Sequence, residues 1–166
     1  MKFKIFFFMS LALFFGSRLT GQVANKAYNI MLQTLLSHSV PELLIDDLDE
    51  NDTNIIFLDA REKDEYNVSH IKGAQFVGYD NFSLKSVKGI AKDSKIVIYC
   101  SVGYRSEKIA EKLIKDGYSN VSNLYGGIFE WKNRGNDVYK NEAITEKVHA
   151  YNRAWGIWLT KGKKVY

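Results

Sequence analysis

The sequence predicts an α/β domain built on a parallel sheet. Three short apolar runs, IIFLDA (55–60), KIVIYC (95–100) and VSNLY (121–125), are each followed by a charged or amphipathic stretch of helical character. Strands that alternate with helices fold as parallel βαβ units with right-handed crossovers. The first two runs are continuously apolar up to their ends rather than alternating, as in strands buried on both faces. Composition agrees with a packed domain: 46% hydrophobic, 25% charged, one proline and 12 glycines. Disorder and low-complexity linkers are excluded on those numbers.

Residues 1–21 stand apart. Lys2 and Lys4 precede an apolar run from Ile5 to Phe15 that only Ser10 interrupts, and a polar stretch to Gln22 follows. That order is the charged start, apolar centre and exit of a secretory signal peptide, with cleavage expected near Gly21-Gln22. The run is well short of the ~20 residues that span a bilayer. The alternatives are a buried N-terminal helix or a retained anchor. On the signal-peptide reading the protein is exported, periplasmic or secreted, without stable membrane insertion after cleavage. Removing Lys2, Lys4 and Arg18 from the 23 basic residues leaves 20 against 19 acidic. The pI of about 9.0 therefore says little about partners, and there is no basic footprint for nucleic acid. Residues 131–166 hold 8 basic and 3 acidic residues, which reads as a solvated face.

The elements follow in order. In ANKAYNIMLQTLL (24–36), Ala27, Ile30, Met31, Thr34 and Leu35 recur at helical spacing, and Pro41 closes that region. IIFLDA is a buried strand, REKDEYNV (61–68) a short charged helix, AQFVGY (74–79) a second strand, and NFSLKSVKGI (81–90) a turn with a helical turn. KIVIYC is the most strand-like segment. SEKIAEKLIKDGY (106–118) is an amphipathic helix with Ile109, Ala110, Leu113 and Ile114 inward and Gly117 just past its end. VSNLY is a strand, and Gly126-Gly127 turns the chain into a short helix, IFEWKNRG (128–135). In the tail, Val148, Tyr151, Trp155, Trp158 and Leu159 share one stripe at 100° per residue, so 143–159 is expected to be an amphipathic helix. Its apolar face is expected to pack on the domain. The alternatives are a docking surface for a partner and a wall beside the Cys100 loop.

Cys100 is the single cysteine. In an exported protein such a cysteine is an intermolecular partner or a reactive thiol, and a buried, inert cysteine is the third reading. Its position favours the reactive thiol. Cys100 ends a central strand, where open α/β sheets bind ligands. Ser101, Val102, Gly103, Tyr104 and Arg105 then lead into a helix N-terminus, whose N–H groups and dipole attract an anion. Gly103 permits a tight turn, and Arg105 adds fixed positive charge. A thiol in that cradle is expected to face solvent and to ionise more readily than a free cysteine. His38, His70 and His149 are too scattered for a metal site, and His70 reads as a structural hydrogen-bonder. The acidic cluster Asp46, Asp47, Asp49, Glu50 and Asp52 lacks the turn glycine of a calcium loop and reads as solvated. Neither a metal nor a cofactor is expected.

Three ordered segments carry a resemblance: LDAREKDEYNVSHIKGAQ (58–75), IVIYCSVGYRS (96–106) and NLYGGIFEW (123–131). Together they resemble the rhodanese homology domain in its exported single-domain form. The resemblance spans 39–135. It leaves residues 22–38 as an N-terminal helix and 136–166 as a C-terminal extension. It implies a five-stranded parallel sheet flanked by helices on both faces. It also implies sulfur transfer, in which Cys100 takes a sulfane sulfur from thiosulfate, a polysulfide or a persulfide and passes it to a thiol or cyanide. The amides of Ser101 to Arg105 would cradle the anion, Arg105 would close the loop, and Asp59 and Arg61 would brace the neighbouring strand end. Four residues separate Cys100 from Arg105. Phosphatases and arsenate reductases of that fold have one more, making room for a tetrahedral oxyanion. Many thiosulfate users carry Arg or Lys where this chain has Ser101, so thiosulfate is expected to be a mediocre donor. Two other classes remain beside this reading. One is a binding or sensor module of the same fold. The other is a thiol–disulfide oxidoreductase, which lacks a resolving cysteine here.

Overall fold

The computed structural model describes residues 23–49 and 52–166. The expected signal peptide lies outside the described residues. The chain begins with helix α1 (Lys26–Leu35), capped by the Asn25 side chain. Strand β1 (Glu42–Leu43) and a 3-10 turn (Ile45–Asp47) follow. Then come β2 (Ile56–Asp59), α2 (Lys63–Val68), β3 (Gln75–Phe76) and a second 3-10 turn (Leu84–Val87). Next are β4 (Ile96–Tyr99), α3 (Tyr104–Lys115), β5 (Val121–Leu124) and α4 (Gly127–Asn133). The five strands form one parallel sheet in the order β1-β5-β4-β2-β3.

Strand β4 lies at its centre and shows why the sheet is buried on both faces. Ile96 and Ile98 point into a core with Leu58, Val121 and the inward face of α3, which is Ile109, Ala110 and Leu113. Val97 and Tyr99 point the other way, into a core with Tyr28 and Leu32 of α1 and Ile128 and Phe129 of α4. That is the period-two alternation of a strand, hidden in the sequence because both faces are apolar.

Two helix faces differ from expectation. In α1 the buried side chains are Tyr28 and Leu32, continued by Leu36, while Ile30 is exposed. A stripe at i, i+4, i+8 seats three large side chains on the sheet, whereas the expected one began at Ala27. In α3, Ile114 is exposed at the edge of the packed face. Gly117 follows the end of α3 with φ +92°, as expected of a C′ residue.

The tail is the main correction, because 143–159 is not a helix. Strands β6 (Val138–Lys140) and β7 (Ala143–Thr145) form an antiparallel hairpin. Strand β8 (Lys147–His149) pairs in parallel with β9 (Lys163–Val165), and the connection between them holds a 3-10 turn, Trp155–Trp158. The strand ladder closes a loop, helped by Ala150 N–H donating to Val165 O at 2.8 Å. Burial follows the strand period: Val148 and Ala150 are buried and face the core together, with Leu159. Tyr151 at φ +63° interrupts any helix, and Gly156 lies within the 3-10 turn. The long-range pairing of β8 with β9 therefore overrides the helical stripe.

Candidate active site

Cys100 lies immediately after β4, and the chain turns over it at Gly103. Gly103 has φ +121°, a conformation that a side chain resists. Its N–H donates to Cys100 Sγ at 3.1 Å, and its carbonyl accepts from Asn123 Nδ2 at 3.0 Å and from Glu107 N–H at 3.0 Å. Helix α3 starts at Tyr104, earlier than expected, so Tyr104 and Arg105 belong to its first turn rather than to the loop. Cys100 is 1% exposed and does not face open solvent as expected. It forms part of the floor of a cleft of about 350 Å³, together with Ser101 and Val102.

Glu65 connects α2 to this loop, and the sequence reading did not single it out. Arg105 makes a fork to it, Nη1 to Oε2 at 2.6 Å and Nη2 to Oε1 at 2.8 Å. Ser101 Oγ donates to Glu65 Oε1 at 3.0 Å and accepts from Arg105 Nη2 at 3.0 Å. The Glu62 N–H donates to Glu65 Oε2 at 2.9 Å, half of a capping box at the start of α2. Burial by itself pushes the Glu65 carboxyl up; the hydrogen bonds and charge of Arg105, with Glu62 N–H and Arg61, hold it below its ordinary value. Burial likewise works against the Arg105 cation, and the Glu65 hydrogen bonds and the charges of Cys100 and Glu65 raise it above its ordinary value. The signal for Glu65 was present in the sequence as two glutamates three apart at a helix start.

Asp59 and Arg61 form a second pair, both fully buried. Arg61 Nε donates to Asp59 Oδ1 at 2.9 Å and Nη2 to Oδ2 at 2.6 Å, and Nη2 also reaches Ser69 O at 2.6 Å. Asp59 pairs in register with Tyr99, the residue before Cys100, and Arg61 lies over the Tyr99 ring at 5.7 Å. The pair therefore stands beside the strand end without lining the cleft. His70 stacks on Tyr66, with centroids 4.0 Å apart, and bonds to Tyr66 O through Nδ1 at 3.1 Å.

The Gly126-Gly127 turn acts on the same loop from the other side. It brings the start of α4 under Cys100, where Ile128 N–H donates to Cys100 O at 2.9 Å and Phe129 N–H to Ser101 O at 3.1 Å. A Cβ on Gly127 would meet Cys100 O at 2.4 Å and Ser101 O at 2.7 Å. Only a glycine lets the two backbones approach this closely. At its far end, Asn133 of α4 holds the tail. Its Nδ2 donates to Trp158 O at 2.8 Å, and its Oδ1 accepts from Thr160 N–H at 2.7 Å. The tail in turn supplies Tyr151 and Trp155 to the cleft wall. Among the described residues no cluster of three or more His, Cys, Asp or Glu is placed to hold a metal.

A family model described as the rhodanese-like domain matches residues 40–134. The chain is 34% identical over 104 residues to the tRNA uridine(34) hydroxylase of Hamiltonella defensa, covering 60% of this chain and 28% of that protein. To the protein of the same name from Staphylococcus aureus it is 37% identical over 86 residues, covering 49% and 26%. The chain thus spans about a quarter of the length of the curated relatives it matches. A solved rhodanese-related protein from Thermoplasma volcanium matches with TM-score 0.54 and 27% identity, over 60% of this chain and 98% of that one. The thiosulfate sulfurtransferase of Pseudomonas aeruginosa shares the fold, with TM-score 0.52 and 23% identity, over 60% and 20%. With the matched segment covering more than half of its length, the chain belongs to the rhodanese-like domain family.

Proposed function

We propose that the protein is a rhodanese-type sulfurtransferase, exported to the periplasm or secreted, that carries a sulfane sulfur as a persulfide on Cys100. The observation that supports this best is the placement of the lone thiol in the cleft floor under the Gly103 N–H. In the first step the Cys100 thiolate attacks the outer sulfur of the donor. The donor's S–S bond breaks and its electron pair leaves with sulfite or a thiolate. In the second step a thiolate or cyanide attacks the outer sulfur of the persulfide, and the Cys100 thiolate is regenerated. Electrons and protons balance without a cofactor. The loop amides of Ser101 to Arg105 stabilise the anionic sulfur, as backbone N–H groups do for other developing anions.

Arg105, tied to Glu65 and Ser101, acts as a positioning residue that fixes the first turn of α3 relative to the loop. Asp59 and Arg61 brace β2 beside it. The substrates proposed are small sulfur compounds. The curated relatives are named for an action on tRNA, but this chain matches only a quarter of their length, and the acids Glu62 and Asp80 line its cleft. The test is thiocyanate production from cyanide and a sulfane donor. Cys100→Ser should bring turnover to background with an unchanged melting midpoint. Turnover retained in that variant would remove covalent catalysis at Cys100. Absence of turnover in the native protein with every donor would favour a binding or sensor module.

A further inference from the structure

We propose that Tyr151 and Trp155 are specificity-determining residues of the Cys100 cleft, selecting an organic persulfide with an uncharged apolar body over inorganic thiosulfate. The proposal rests on the sulfurtransferase reading for its chemistry, and on the wall that the tail builds for its selectivity. Both residues lie beyond the segment that the family model matches.

The first support is shape. Leu35, Tyr79, Tyr104, Tyr151 and Trp155 give the cleft an aliphatic and largely aromatic lining. Its volume of about 350 Å³ falls at the lower end of pockets that hold small organic ligands, ~300–1,000 Å³. Thiosulfate, a handful of atoms, would leave most of that space unfilled.

The second is charge. Arg105 is the cation among the described lining residues, and its guanidinium is forked onto Glu65. Glu62 and Asp80 add negative charge to the lining. The Ser101 hydroxyl is held between Glu65 and Arg105. The side-chain charge of the lining is therefore net negative, which disfavours a dianion beyond the loop amides, while an uncharged body meets aromatic surface.

The third is how the wall is held. Trp158 stacks on Tyr28 with centroids 5.4 Å apart, and Tyr28 Oη donates to Gly126 O at 2.9 Å, beside the Cys100 loop. Together with the Asn133 bonds, this registers the tail against the cysteine. Tyr151 sits at φ +63°, outside the usual range for an aromatic residue. Its side chain remains 50% exposed, so core burial does not account for that conformation. The ring instead lies over the Arg105 guanidinium at 5.2 Å. Strained residues of this kind cluster at ligand clamps.

The reaction is R–S–SH with the Cys100 thiolate. The thiolate forms a bond to the outer sulfur, the donor's S–S bond breaks, RS⁻ departs with the electron pair, and Cys100 holds S–SH. The full-length protein should be tested with benzyl hydrodisulfide, thiosulfate and inorganic tetrasulfide as donors. The ratio of kcat/KM for benzyl hydrodisulfide to that for thiosulfate should fall about fivefold in Tyr151→Ala and in Trp155→Ala, and be kept in Tyr151→Phe, because one aromatic contact supplies roughly 1 kcal/mol. A ratio that neither alanine variant changes, or a native preference for thiosulfate or tetrasulfide, overturns the proposal. A second measurement separates it from the sulfurtransferase reading. Cys100→Ser protein should bind the unreactive benzyl methyl disulfide, read by tryptophan fluorescence, and Tyr151→Ala in that background should weaken binding by a similar factor. Such binding without sulfur transfer in the native protein would sink the sulfurtransferase reading and uphold the wall. No binding would sink the wall.

Discussion

The Cys100 loop and the tail loop between β8 and β9 are built on opposite principles. Residues 100–105 are held by polar contacts: the Gly103 N–H on Sγ, the Glu65 fork on Arg105, and the α4 N–H groups on the Cys100 and Ser101 carbonyls. The tail is held mainly by apolar burial, with Val148, Ala150 and Leu159 in the core and Trp158 stacked on Tyr28. The polar loop fixes the position of Cys100 Sγ. The apolar one encloses it and contributes to the stability of the domain. Because α4 touches the first at Gly127 and the second at Asn133, the two are joined by a single short helix.

If that division holds, damage to the tail should appear first as lost stability. Deleting residues 142–166 exposes the Tyr28 and Phe129 side of the core and removes three buried side chains and two half-buried tryptophans. The unfolding free energy should fall by roughly 5 kcal/mol or more, since each large apolar side chain contributes about 1.5–3 kcal/mol. Denaturant melts of the full-length and truncated proteins measure it. Equal midpoints would show that the tail is not part of the core.

Gly127→Ala strikes the junction and should come next. Its Cβ would stand 2.4 Å from Cys100 O at a backbone φ of +55°, so the loop must move. A loss of roughly 2–4 kcal/mol is expected, together with lost transfer. Gly117→Ala is the comparison. Gly117 also has positive φ, but nothing lies within 4 Å of its Cβ position, so only the conformational cost of about 1–2 kcal/mol applies. Equal losses in the two variants would mean that the close approach of α4 to the loop is unimportant.

Glu65→Gln addresses the polar loop alone. It leaves the Arg105 guanidinium without its charged partner and should cost about 1.5–3 kcal/mol near neutral pH, with slower transfer. The pH profile identifies the group. Because the Glu65 value is lowered in the folded protein, its contribution is full above the unfolded-state value and is lost as pH falls through the folded-state value. The native protein should therefore lose stability across the acidic carboxylate range, and Glu65→Gln should lose less there. Parallel profiles would assign that acid sensitivity to other carboxylates.

The same contrast explains what was legible in the sequence. Cys100, Gly103 and Arg105 could be read because a strand end, a turn glycine and a helix start follow one another in the sequence, whereas Asp59 and Arg61 came only with the family resemblance. Helix α3 and strands β2, β4 and β5 were legible from local pattern as well. Strand β1 is only Glu42–Leu43, too short to show a pattern, and it forms because β5 offers an edge. Glu65 lay in view within a capping box, yet its partner Arg105 is 40 residues away. The tail misled most: Val148, Tyr151, Trp155, Trp158 and Leu159 fall on a helical stripe, while β9 supplies a pairing partner that local periodicity cannot report. Its packing against the core was anticipated, and its part in the cleft wall was one of the alternatives.

The central claim is that Cys100 carries the transferred sulfur, and the mass of the protein tests it most directly. Native protein mixed with an excess of sulfane donor and freed of small molecules should gain the mass of one sulfur atom. The gain should map to the peptide holding Cys100, disappear on adding cyanide, and be absent from Cys100→Ser. A native protein that turns over donor and acceptor without any sulfur on Cys100, or that carries the sulfur in the serine variant as well, would contradict the account.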